Sequence, residues 1–490
     1  MVPGLSRSTN GDAWRSASLA LLLAGTALLV PTSLNAQTAT TAPAITAPTT
    51  TYGASTAPTA GPAGAAATPA IADPQTTGAV SADDLTPASN EDYLRLNQRE
   101  PSIDGLRLRT YNPEYDRAPG VRIGTFTLRP SVSESINHEW RNDGDTKSNR
   151  GYLETGIRGT LTSDWSRHQL TVTGEGVLQN NISGEGEEEP RANVDAELRL
   201  DLWDETVARL RAGYSFERED ADDPNAISNA KEQSAVNTYR LGAAIERDFG
   251  LIRGSVGIDF DRRTYGDVEL ENGTNLSVKY RNRNTGTLTA RVGYELSPAL
   301  IPFIEGSVGK SLYDLREDPL GFERSYQTYA ARGGVELDLG EKLYGELGLG
   351  YETYNFEDDR LGDLSGLSVD GRLNWSPQRG TDVLFAVSTD LNPSTTPGDA
   401  GSIDYNLTNI ITHQMRSDLV ARLTNSLTLR NYPSDARSSD ETTWRTGAGL
   451  TYDINRYLAL TGDVSYERTT RDRGDTTDIT RVGVGLTLRR

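Results

Sequence analysis

Eight arginines recur along the chain at a spacing too regular for a solvated surface: Arg158, Arg199, Arg240, Arg291, Arg332, Arg372, Arg445 and Arg481. The steps between them are 41, 41, 51, 41, 40, 73 and 36 residues. The long step is close to two ordinary ones, because residues 405–413 form a similar stretch without an arginine. Five share the motif Arg-x-Gly, at Arg240, Arg291, Arg332, Arg445 and Arg481. A guanidinium is permanently charged and offers a planar fork of donors that suits carboxylate and phosphate. Repeated along one wall, such groups can pair with carboxylates and brace it, or stay free and guide anionic solutes. Asp259, Glu305, Glu346 and Asp463 have the right parity on neighbouring stretches to be the partners. These twelve residues are the expected pore-lining set, and the glycine two positions after an arginine is expected to leave room for its stem.

Other chemistry finds little to work with. Cysteine is absent, which removes disulfides, thiolate nucleophiles and thiolate metal sites. His138, His168 and His413 are the only histidines; neither His138 nor His168 has a Ser or Asp partner at an informative spacing, and His413 follows Thr412 on a strand end. No catalytic residue, metal site or cofactor is expected, and the chain does not read as an enzyme. A net charge of -20 argues against a nucleic-acid partner.

The elements that would carry the arginines are hairpins, and residues 327–358 show the pattern. In the first arm Tyr329, Ala331, Val335 and Leu337 share one parity, while Arg332, Gly334, Glu336 and Asp338 share the other. After Gly340-Glu-Lys, Leu343, Leu347, Leu349 and Tyr351 alternate with Tyr344, Glu346, Gly348 and Glu352. Successive strand side chains point to opposite faces, so each arm has an oily side and a charged side. One hairpin takes about 40 residues, the period of the arginines. If the oily side faces lipid, the arginines face a lumen, since an arginine in lipid near the midplane costs about 2–4 kcal/mol.

Composition agrees with strands in a membrane. Only 36% of the chain is hydrophobic and mean hydropathy is -0.54, which a barrel tolerates because only alternate residues must be apolar. Residues 1–36 read as a signal peptide: Arg7 and Arg15, an apolar run over 17–30 too short to span comfortably, and Ala36 before the cleavage point. Residues 37–88, rich in Ala, Thr and Pro, are expected to form a disordered tether, and residues 89–120 a periplasmic or plug-like lead-in. Residues 121–490 contain about 18 runs of strand length, within the range of outer-membrane barrels. Short separators alternate with long acidic ones such as 183–190 and 218–233, which sets the long loops outside. The acidic loops are expected to be a solvated rim, with a bridging divalent cation as the sharper alternative. Tyr214, Phe216, Tyr294, Tyr329, Tyr351, Trp375, Tyr452 and Tyr466 carry the oily parity and are expected at the membrane boundary.

The last strand, Arg481-Val-Gly-Val-Gly-Leu-Thr-Leu-Arg-Arg490, resembles the assembly signal of outer-membrane barrels, although it ends on two arginines instead of an aromatic residue. The entry segment Tyr115-Asp-Arg-Ala-Pro-Gly-Val-Arg-Ile-Gly-Thr-Phe-Thr-Leu-Arg-Pro130 resembles the start of the putative β-barrel porin 2 family. That resemblance implies a Gram-negative outer-membrane location more firmly than a substrate, and exopolysaccharide export among relatives. The expectation is therefore an all-β protein: a transmembrane antiparallel up-and-down β-barrel of about 18 strands with a disordered N-terminal segment. Its expected function is passive passage of small hydrophilic solutes. The alternatives are an exopolysaccharide-secretion barrel and a structural barrel tethering the outer membrane to the cell wall. Expected partners are outer-membrane lipid and lipopolysaccharide, the barrel assembly machinery through the C-terminal strand, and peptidoglycan or a polysaccharide.

Overall fold

The alternating stretches form one closed sheet in the computed structural model of the chain, which describes residues 118–490 except 145, 185, 187, 204, 220–222, 224, 228, 397–398 and 434–437. The signal peptide, the tether and nearly all of the lead-in lie outside the described residues. Nineteen strands share the sheet. One, Val121–Ile123, is a short arm that pairs only with the start of Phe126–Asp143. The other eighteen are antiparallel staves, each bonded to the stave before and after it in sequence. The ring closes where Phe126–Asp143 pairs with Thr477–Arg489, from Ser131 opposite Arg489 to Asp143 opposite Thr477. Closure leaves no open edge of unpaired amides and carbonyls, the condition for strands to exist in lipid.

The hairpin that set the sequence pattern runs from Tyr326–Asp338 to Leu343–Phe356. Val335 stands opposite Leu347 and Glu336 opposite Glu346, so the two arms share their oily and charged faces. The 3-10 turn Gly340–Lys342 joins them. Gly340 has φ 72°, the left-handed region that a side chain disfavours. Other turns on this side are equally tight, such as residues 379–380, where Gly380 has φ 76°.

Exposure separates the faces. Ile304 is 68% exposed and Leu349 53%, whereas Arg291 is 3% and Glu346 2%. Tyr294, Tyr329, Tyr351, Trp375 and Tyr452 are all exposed on the oily side. Tyr214 packs against Tyr239 there at 5.1 Å between ring centroids, and Tyr466 against Trp444 at 5.9 Å. The oily face is thus the lipid-facing one. Ile304→Arg is expected to cost about 2–4 kcal/mol of unfolding free energy in lipid vesicles. An unchanged value would reverse the assignment of the two faces.

The outer side is less uniform than the separators suggest. The first connection there spans only residues 144–145, between Asp143 and Thr146. The connection after Ile252–Tyr265 instead contains structure of its own. Its strands Asp267–Leu270 and Asn275–Ser277 form a small sheet with Ala230–Glu232 from the preceding outer loop. Sequence alone does not separate these three- and four-residue strands from loop, because alternation needs more residues to show.

Candidate functional site

Every second residue of each stave points inward, and the register places the recurring arginines on that inner wall. On Arg283–Tyr294, Thr289 and Arg291 are buried while Leu288 and Val292 are exposed on the other face. Seven of the eight arginines have a carboxylate within 4 Å. Arg158 meets Glu175 at 2.5 Å, Arg199 meets Asp201 at 3.0 Å and Arg240 meets Asp195 at 3.2 Å.

The others join two networks. Arg291 donates to Glu305, its direct cross-strand partner, at 2.7 Å, and to Glu346, two strands further around, at 2.8 Å. Its guanidinium carbon lies 4.0 Å from the centre of the Phe303 ring. Arg332 stands 3.9 Å from both Glu305 and Asp370, extending the network. The second network crosses the closing seam. Arg481 donates to Glu139 at 2.7 Å and lies 3.4 Å from Glu467. Arg150 meets Glu139 at 3.2 Å and Arg445 meets Glu467 at 2.6 Å. Five consecutive staves are tied together by alternating charges.

Arg372 differs. Its cross-strand partner is Glu346, whose carboxylate is engaged by Arg291, and among the described residues Arg372 makes no ion pair. From it the register runs Arg372, Ala386, Thr408, Ser426, Arg445 across successive staves. Three staves therefore carry small neutral residues where the ring would pass, which accounts for the 73-residue step in the sequence.

Two expectations are corrected. Glu305 and Glu346 pair with arginine as expected, but Asp259 and Asp463 make no ion pair among the described residues. Asp463 faces glycines on both sides, Gly449 and Gly483, so no guanidinium is its direct cross-strand neighbour. The glycine of Arg-x-Gly does not house the arginine's own stem either. A Cβ at Gly334 would meet the Phe303 ring at 2.4 Å, and one at Gly483 would meet Asn137 Oδ1 at 2.3 Å. The stem rests instead on the glycine directly across: a Cβ at Gly350 would come within 2.5 Å of Arg332 Cγ. Several inward charges were missed because they lie outside the 40-residue period. They include Glu139, Glu467, Arg253 and the pair Arg430–Asp404, at 2.9 Å. Parity alone, read stave by stave, would have found them.

The outer loops converge over the mouth. The loop bearing Asn225 and the loop bearing Thr395 follow the fifth and thirteenth staves, eight apart in a ring of eighteen and so nearly opposite. Asn225 Oδ1 accepts from the Thr395 amide at 2.7 Å and its hydroxyl at 3.0 Å. Arg324 donates to the carbonyls of Ser394 at 2.5 Å and Thr396 at 3.0 Å, and to Asp318 at 2.7 Å. Arg281 bonds Glu219 at 3.1 Å and the Asn225 carbonyl at 2.5 Å.

Many loop acids are thus tied to protein donors. Asp358 accepts from Arg360, whose guanidinium leads the causes holding that carboxyl far below its usual range, followed by the amides of Arg360 and Glu323. Glu185, Glu187, Asp220 and Asp222 lie outside the described residues. Among the described residues no three His, Cys, Asp or Glu side chains converge as metal ligands. The three histidines occupy separate staves or their ends, and the ring Nδ1 of His413 meets the Thr381 hydroxyl at 2.8 Å.

Glu219 gives the mouth a pH dependence. Burial pushes its carboxyl up to about 7 from 4.5, outweighing Arg281, with Asp223 adding to the rise and Arg263 opposing it. A raised carboxyl binds its proton more tightly in the packed loop than in a loosened one. The packed arrangement is therefore favoured below pH 4.5, loses stability as pH rises toward 7, and changes little above that. Protease cleavage within residues 218–235 is expected to accelerate over this window, and Glu219→Gln to flatten the profile. A wild-type profile already flat would contradict it.

A family model described as Putative beta-barrel porin 2 matches residues 112–490. No curated protein matches the chain by sequence. Among solved structures, OpdL of Pseudomonas aeruginosa is 13% identical with TM-score 0.36, over 74% of this chain and 99% of its own. OccAB4 of Acinetobacter baumannii is 9% identical with TM-score 0.38, over 74% and 98%. OpdK of Pseudomonas aeruginosa is 12% identical with TM-score 0.38, over 74% and 99%.

Proposed function

We propose that this chain, which belongs to the Putative beta-barrel porin 2 family and resides in the outer membrane, is a passive channel for small hydrophilic solutes. One observation carries the reading: eighteen staves close with an apolar outer face and a charged, hydroxyl-rich inner one. A ring of that size is wide enough for an aqueous path. The twelve inward residues named from sequence line that path. The arginines act mainly as braces, because seven of eight are held by carboxylates and project little free charge.

Liposome swelling with sugars of graded size is the direct test. Proteoliposomes are expected to swell fastest with the smallest sugars, with a cut-off as size increases. No swelling beyond protein-free liposomes would remove the channel reading. Export of a polysaccharide has one observation in its favour, the inward stack of Tyr326 on Tyr354 at 4.6 Å. Swelling with monosaccharides by the protein alone would favour the simple channel over it.

A further inference from the structure

Near the outer mouth two inward guanidiniums stand outside the paired wall. Arg263, near the end of Ile252–Tyr265, and Arg283, at the start of Arg283–Tyr294, are direct cross-strand partners. Like charges placed opposite one another destabilise a sheet unless something lies between them. Among the described residues neither makes an ion pair. Two carboxylates are within electrostatic reach of Arg263, Asp261 and Glu219, but each is shared. Asp261 also feels Arg240 and Arg283, and Glu219 is bonded to Arg281.

The surroundings are phenolic. Arg283 Nη1 donates to the Tyr313 hydroxyl at 3.5 Å, which leaves the proton of that hydroxyl available to another acceptor. Tyr265, Tyr326 and Tyr354 also lie within electrostatic reach of Arg283. Tyr326 is held flat against Tyr354, with 14° between the rings. One pleat further in, the Thr285 and Ser311 hydroxyls meet at 3.0 Å. Guanidinium forks and a phenol O–H all seek an acceptor, and the fixed aromatic packing holds the phenols in place. An oxyanion would accept from both forks and relieve the repulsion between them.

We propose that Arg263 and Arg283, with the Tyr313 hydroxyl, form a subsite for the oxyanion group, carboxylate or phosphate, of a small solute entering from outside. The role in transport rests on the channel reading above; binding itself does not. Neighbouring inward arginines such as Arg240 and Arg291 are occupied by Asp195, Glu305 and Glu346, so an incoming anion meets less competition at this pair than at those.

Calorimetric titration of the purified full chain in detergent, with sodium glucuronate, glucose 6-phosphate and glucose, tests it. Saturable binding of at least one of the acids and none of glucose is expected, and which acid binds assigns the group. Arg283→Gln and Arg263→Gln are each expected to weaken binding about tenfold or more, the loss of a charge-assisted contact. Tyr313→Phe, which keeps the ring, should weaken it by a smaller factor and guards against a misfolded arginine variant. Acids that bind no better than glucose, or arginine variants that fold and bind as the wild type does, overturn the subsite. Potassium chloride conductance of the same sample in planar bilayers reads the channel separately. Conductance without acid binding rejects the subsite alone, and binding without conductance supports the subsite while rejecting the channel.

Discussion

Glu139→Gln is expected to lower the temperature at which the folded barrel converts to the unfolded band on a denaturing gel by more than any other single inward change. Glu139 receives Arg481 at 2.7 Å and Arg150 at 3.2 Å, and is itself buried. Removing its charge leaves two guanidiniums facing each other across the closing seam. Breaking a buried pair this way costs about 3–5 kcal/mol, mostly from the charge left behind. Here the partner Arg481 still has Glu467 at 3.4 Å, which places the loss toward the lower end. A double variant, Glu139→Leu with Arg481→Leu, is expected to recover part of the loss, since it leaves one less stranded charge. If Glu139→Gln melts with the wild type, the seam is held by backbone bonds alone and the bracing role of the arginines fails.

Arg324→Ala is expected to have the largest effect on conductance. Arg324 is buried, and it joins the loop after Leu300–Tyr313 to the loop bearing Ser394 and Thr396. Hydrogen bonds from a charged donor contribute about 1.5–3 kcal/mol each. Without them the second loop retains Asn225 as its main tie across the mouth. Single-channel recordings in planar bilayers should show higher conductance and more frequent flicker for Arg324→Ala. Asn225→Ala should act in the same direction, and the double variant should add little if both release the same loop. Equal conductance in all three would mean that the narrowest point lies deeper, along the wall.

The barrel was legible because alternation is a one-dimensional signal. Val335 and Glu336 declare their faces from neighbours two residues away, and the register then follows from the turn at Gly340. The arginine period was legible for the same reason. What could not be read is who pairs with whom. Arg291 reaches Glu346 across intervening strands, while Asp463, of the right type and parity, meets glycines. That choice depends on side-chain length and on the stagger between distant staves, neither of which appears in local spacing. The mouth was less legible still. The bond from Thr395 to Asn225 joins residues 170 apart in sequence, and nothing local to either announces the other.

The first hairpin, with its two-residue outer connection, has a consequence for the order of assembly. Phe126–Asp143 and Thr146–Ser163 pair along their whole length, so this element forms from contacts local in sequence. One flank of Phe126–Asp143 must then wait for Thr477–Arg489, whose Arg481 lies 342 residues beyond Glu139 in sequence. The waiting edge carries Asn137, Glu139 and Arg141 inward in succession, and the arriving strand brings Arg481. A slip of two residues keeps every face correct, so hydrophobicity would not detect it. It would set Arg481 opposite Asn137, forfeiting the ion pair, or opposite Arg141, creating a repulsion. The Glu139–Arg481 contact therefore works as a register check at closure, rejecting misaligned rings that the oily face alone would accept.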